Sequence, residues 1–294
     1  GVPKTSAEQA FIKESHLGVP VIWTSSEPYG ACEWWPCKIS LDDKTDSIDI
    51  IMTTAYPYRA AANGLLQGET VINGGTKILA HWKHRYPIAS YLVAFSVTNY
   101  AVFSNTIQLG PSNLLVQNHC YPEDLNNFMN QSTTNMPRIA QLFYNLLGDY
   151  PFSKEKYGNI QINYNGGGME NQTCSFVGVI NEGMWSHEMA HQWFGDKITC
   201  GSWQHIWLNE GFASYFSSIY YEDKYPAEAR NFRLNDVNTV TSQPGGSVKI
   251  EDTSSISNIF DGRLAYSKGS RLLYMLRFIL GDANFHKGLK NYLN

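Results

Sequence analysis

His187 and His191 stand four residues apart in His187-Glu-Met-Ala-His191, and on an α-helix residues at that spacing share a face. Two imidazoles so placed can each give one nitrogen to a single metal ion, while Glu188 flanks the ion without binding it. The same five residues also suit a buried amphipathic helix whose histidines are merely hydrogen-bonded, so further donors decide between the two. A hydrolytic centre needs three protein ligands and an open position for water. Glu210, in Leu208-Asn-Glu-Gly-Phe-Ala-Ser-Tyr215, opens a second helical segment and offers a carboxylate. Two histidines and one carboxylate suit zinc, one ion per chain, although other divalent metals can bind such a set. Zinc lowers the pKa of a bound water from about 16 towards neutral. Glu188 would take the proton as that water attacks a peptide carbonyl, and pass it to the leaving amine. The anionic tetrahedral intermediate calls for one more donor. A tyrosine hydroxyl would serve, and Tyr266 stands at a helix start in Ala265-Tyr-Ser-Lys-Gly269, though chemistry alone does not choose it from eighteen tyrosines.

The elements that must hold these residues follow from the spacing of apolar side chains. Leu208, Phe212, Tyr215, Phe216 and Ile219 form one face of a helix, which would pack beside the first. The link from Gly195 to Trp207 is long enough for the two to run antiparallel. Helices are expected at about 183–194, 208–223, 227–240 and 267–280, with another starting near 284. Pro122 to Leu147 also carries helical spacing, and Pro137 predicts a break into two helices. The first third reads differently. Ser47–Thr54, Lys77–Trp82 and Ser90–Val97 alternate or are β-branched, as strands are, and Asn63-Gly64 and Asn73-Gly-Gly75 are hairpin-type turn signals. Asn159–Tyr164 predicts one more strand before Gly166-Gly-Gly168-Met-Glu-Asn171. His81 and His84 have no acidic partner nearby in sequence and read as sheet or surface residues. Strands followed by helices make an α+β chain, with residues 1–105 as a β part and 106–294 as a mainly helical part.

The 294 residues can bury two cores, and 43% apolar with 16% charged side chains is a globular composition. A net charge of −4 is too mild to point to nucleic acid, and no apolar run reaches the length of a membrane span. Cys32, Cys37, Cys120, Cys174 and Cys200 lack C-x-x-C spacing, which argues against a thiolate metal site and for mostly buried thiols. The first residue is Gly and the last lie in a helical pattern, so the chain is expected to be a piece of a longer protein.

Taken together, His187-Glu-Met-Ala-His-Gln-Trp-Phe-Gly195, the eighteen residues 192–209 and then Glu210 resemble the zinc aminopeptidases of the aminopeptidase N family, a gluzincin pattern. Gly167-Gly-Met-Glu-Asn171 is similar to that family's exopeptidase motif, with Gly168 where the family usually has Ala. Trp23-Thr-Ser-Ser-Glu-Pro28 and Trp35-Pro-Cys37 resemble the end of its N-terminal β domain, so the likeness covers almost the whole chain. The resemblance implies the C-terminal part of a β-sandwich-like N-terminal domain, followed by a thermolysin-like, mainly helical zinc peptidase domain. It also implies that the family's helical C-terminal domain is absent here. Glu170 and Glu27, with Gly167, Gly168 and Met169, would bind the free α-ammonium of a peptide substrate, and Tyr266 would act at the oxyanion. Glu27 can equally be a turn acid before Pro28. The expected activity is release of N-terminal residues from peptides. Thermolysin-like endopeptidase action, or a catalytically weak fragment, are the alternatives.

Overall fold

The computed structural model describes residues 10–165 and 167–294. Residues 1–9 and Gly166, the first glycine of the run named above, lie outside the described residues. The chain divides into two compact units: one groups the residues up to Asn135 with Phe152–Ile180, the other Met136–Pro151 with Asn181–Asn294.

The strands all belong to the first unit: β1 (Ala10–His16), β2 (Val19–Ser25), β3 (Ile48–Ala55), β4 (Arg59–Ala62), β5 (Leu65–Ile72), β6 (Lys77–His84), β7 (Phe95–Thr98), β8 (Ala101–Leu109), β9 (Ser112–Cys120), β10 (Asn159–Gln161), β11 (Gly168–Met169) and β12 (Ser175–Val177). They form an antiparallel sheet in the order β1-β2-β7-β4, a second in the order β3-β6-β5, and a mixed five-stranded sheet β11-β12-β10-β9-β8. Alternation builds the first two into a sandwich. Ala60, Ala62, Phe95 and Val97 from one sheet meet Ala80, Trp82, Ile50 and Met52 from the other. β6 buries every second residue, which is what a one-sided sheet requires. Two short helices, α1 (Ala31–Trp34) and α2 (Leu125–Thr134), complete this unit.

The second unit is helical: α3 (Met136–Leu147), α4 (Glu182–His191), α5 (Trp207–Lys224), α6 (Ala229–Thr241), α7 (Ile256–Ile259), α8 (Gly269–Leu280) and α9 (Asp282–Leu293). A π-helical turn, Gly262–Lys268, leads directly into α8. Its core is aromatic, with Phe143 edge-on to Trp193 and Phe216, and Phe194 stacked on Phe212. No helix among the described residues is long and apolar enough to cross a membrane.

The α+β reading holds, with strands early and helices late. The predicted break near Pro137 falls at Asn135, and Pro137 takes the second position of α3, where its missing N–H costs no helical bond. Strand structure runs on to Cys120, beyond the change of character placed near residue 105. The strand expected over 90–97 is shorter. Ser90–Leu92 form a 3-10 turn and the strand begins at Phe95. The reason is Asn63, whose amide bonds the Leu92 carbonyl at 2.9 Å and whose oxygen accepts from the Ala94 N–H at 2.7 Å, replacing ladder partners. The helix expected from 267 starts five residues earlier, as the π turn. Cys120, Cys174 and Cys200 are buried as expected, whereas Cys32 is exposed and Cys37 partly so.

Candidate functional site

Asn181 caps α4, its side chain accepting the Met184 N–H at 2.8 Å. Along α4 and α5 the contacts run in opposite directions. Glu182 accepts hydroxyl bonds from Tyr220 and Tyr225 at 2.8 Å and pairs with Lys224, the Ser186 and Ser217 hydroxyls meet at 3.0 Å, and His187 meets Glu210. The two helices are therefore antiparallel, as expected. Glu182 is held below the usual carboxylate range: burial would raise it, but the Lys224, Tyr225 and Tyr220 donors prevail.

This pairing brings three donor atoms into a triangle. His187 Nε2 to His191 Nε2 is 3.1 Å, His187 Nε2 to Glu210 Oε2 is 3.2 Å, and His191 Nε2 to Glu210 Oε2 is 3.2 Å. Zinc with donors at about 2.0–2.1 Å in a tetrahedral shell separates neighbouring donors by about 3.3 Å. The triangle is one face of such a shell, so the residues fit the ion. The other nitrogen of His191, Nδ1, lies 3.0 Å from the Phe194 carbonyl, an arrangement that fixes the tautomer leaving Nε2 basic. Gly195 follows at φ 134°, where a Cβ would come within 3.3 Å of that Nδ1. Burial pulls His187 below the ordinary imidazole range, against the attraction of Glu210. The carboxyl of Glu210, which burial alone would raise, is brought low by His191 and His187, so the triangle holds an ionised carboxylate.

Glu188 lies on the same helix and is 3% exposed. The Tyr266 ring stands nearly parallel to His187, centroids 6.0 Å apart and planes at 15°. Tyr266 sits inside the π turn rather than at the start of a plain α-helix. Asp261 caps that turn, its carboxylate accepting from the N–H groups of Arg263 at 2.9 Å and Leu264 at 2.8 Å.

In the first unit, Glu27 and Glu170 offer carboxylate oxygens within 4.8 Å of each other. Glu170 is buried and Glu27 half-buried. Two carboxylates this close suit a cation set between them. Glu170 follows β11, where Gly168 and Met169 pair with Val177 and Phe176 of β12. Gly167 packs so closely that a Cβ would sit 2.6 Å from the Tyr164 ring.

Two and three residues after Glu170 in the chain, Gln172 and Thr173 are held by a polar clamp that the spacing of the sequence does not advertise. Thr173 holds φ at 69°, a conformation that a β-branched residue adopts only when its surroundings impose it. The Lys156 ammonium, fully buried, donates to the carbonyls of Ala62 at 3.2 Å and Thr173 at 3.1 Å. Asn63 donates to the Gln172 carbonyl at 2.7 Å, and the Gly64 N–H donates to the Thr173 hydroxyl at 2.8 Å. Burial pulls Lys156 below the ordinary lysine range, opposed by Cys174 and Glu155. Asn63-Gly64 bends the chain between β4 and β5, but the two strands belong to different sheets, so it is not a hairpin turn; the Asn63 amide is instead taken up by backbone carbonyls. Lys156, in Ser153-Lys-Glu-Lys156, carries no periodic signal that sets it apart from Lys154.

Comparison with known proteins is consistent with this geometry. Over 314 residues the chain is 26% identical to aminopeptidase N of Oryctolagus cuniculus, covering 96% of this chain and 32% of that protein. Over 119 residues it is 38% identical to aminopeptidase N of Lactobacillus delbrueckii subsp. lactis, covering 37% of this chain and 14% of that protein. The chain thus spans about a third or less of these curated relatives. An M1 zinc metallopeptidase of Deinococcus radiodurans, crystallised as a mutant with a Tyr-Ser-Ala substrate, superposes with a TM-score of 0.85 over 100% of this chain and 66% of its own, at 22% identity, which establishes the fold. The peptidase family M1 domain matches residues 129–294, more than half the chain, and the three donors lie inside that stretch. By that match, the chain belongs to peptidase family M1.

Proposed function

We propose that this chain carries the catalytic centre of a zinc-dependent aminopeptidase, which hydrolyses the first peptide bond of substrates with a free N-terminus. The observation that carries the reading is the triangle of His187, His191 and Glu210, with edges of 3.1–3.2 Å, in a member of peptidase family M1. His187, His191 and Glu210 would hold the zinc ion, which would supply a bound water with its pKa lowered towards neutral. Glu188 accepts the proton from the attacking water and returns it to the departing amine. The Tyr266 hydroxyl donates to the oxygen that becomes an anion in the transition state. Glu170 and Glu27 bind the α-ammonium, so a substrate enters only with its first residue aligned. Gly167, Gly168 and Met169 supply the close-packed backbone beside it. The relatives' names, aminopeptidase N among them, support this choice over endopeptidase action. The division near residue 105, between the tail of a β domain and a catalytic domain, belongs to the same reading.

The test uses one peptide in two forms, with its N-terminus free and acetylated, at a measured zinc content. We expect about one zinc per chain and cleavage of the free form alone, one residue at a time. Preference for the acetylated form would replace the aminopeptidase reading with an endopeptidase one. Absence of bound zinc would overturn the donor assignment.

A further inference from the structure

Two glycines face each other where α5 and α8 meet in the second unit. A Cβ built on Gly211 of α5 would lie 2.8 Å from the Cα of Gly269 and 3.2 Å from the Ala265 carbonyl oxygen. A Cβ on Gly269, the first residue of α8, would lie 2.9 Å from the Cα of Gly211. Real Cβ atoms do not come that near a backbone, so any side chain at either position separates the two segments. Gly211 follows Glu210 directly, and Gly269 closes the turn that holds Tyr266, three residues beyond it. The segment between is π-helical, a geometry that recurs at functional positions. At its other end the turn is fastened by the Asp261 cap and by Arg263, whose guanidinium donates to the carbonyl of Gly245 at 3.2 Å.

From this geometry we infer that Gly269 is a positioning residue: its contact with Gly211, with Asp261 at the far end, sets the place of the Tyr266 hydroxyl. The inference rests on the role proposed for Tyr266. Propensity alone gives no reason for Gly269, since glycine in a helix costs about 1 kcal/mol relative to alanine. A contact in which neither partner tolerates a methyl group supplies one.

The experiment is a double-mutant cycle in the zinc-loaded full chain with a free-amine dipeptide substrate. Tyr266→Phe should lower kcat by about 10²–10³. Gly269→Ala should lower kcat about tenfold, with KM within twofold and zinc content unchanged, because small displacements of an aligned group are costly. In the Tyr266→Phe background, Gly269→Ala should change kcat by less than twofold, since no hydroxyl is left to misplace. Calorimetry with a phosphinic dipeptide analogue should show the same pattern: affinity lost on Gly269→Ala, and lost no further in Tyr266→Phe. An equal loss in both backgrounds, or an unchanged kcat in Gly269→Ala, overturns the inference and leaves the Tyr266 role standing. Full kcat in Tyr266→Phe overturns that role and the inference with it. If Gly269→Ala does not fold, Asp261→Ala, which frees the other end of the turn, decides the question by the same cycle.

Discussion

The donor triangle and the carboxylate pair are both small clusters of ionisable side chains, but they rest on different kinds of support. The triangle is built on two regular helices, and two of its corners are one helical turn apart. The pair is built on irregular chain: Glu27 lies between β2 and α1, and Glu170 lies between two strands of two and three residues. Helical hydrogen bonds position the first cluster almost without help. The second depends on residues far away in sequence, such as Asn63, 109 positions before the Gln172 it bonds. A regular element places its own side chains, whereas a loop must be told where to go by its surroundings.

That difference can be broken or sharpened by substitution. The largest effect belongs to Glu188→Gln, which keeps the shape of the triangle's helix and removes the base. We expect kcat to fall by about 10²–10⁴ with zinc retained; full activity in a folded, zinc-loaded protein would end the general-base role. Next is Glu170→Gln, which should raise KM for a free N-terminus by about tenfold to a hundredfold, the worth of a charge-assisted hydrogen bond, with a smaller change in kcat. An unchanged KM would mean that the pair is not an ammonium site. The smallest is Lys156→Met, which touches neither cluster. It strands the carbonyls of Ala62 and Thr173, while removing a buried charge returns part of that loss. We expect a destabilisation of about 1–3 kcal/mol in urea unfolding and a KM raised less than tenfold, with kcat and zinc content as before. If KM stays fixed while stability falls, the clamp serves the fold and not Glu170.

Legibility followed the same divide. His187, Glu188, His191 and Glu210 could be read because helical spacing converts sequence separation into geometry. Glu170 and Glu27 were found only through resemblance, since nothing local says that two acids 143 residues apart approach within 4.8 Å. Ser90–Ala94 misled because five consecutive buried residues resemble a strand, while their backbone partner is the side chain of Asn63. The same limit applies to Gly211 and Gly269. Each is ordinary in sequence, and the reason for each is the other.

The buried ammonium of Lys156 has a consequence for the chemistry of the chain in solution. An amine sealed from water does not react with acylating reagents until the structure around it opens. Its labelling rate therefore reports the opening of one particular clamp, Ala62 and Thr173 parting from Lys156, rather than the average looseness of the chain. A single slow lysine, followed by mass spectrometry, becomes a clock for that part of the molecule.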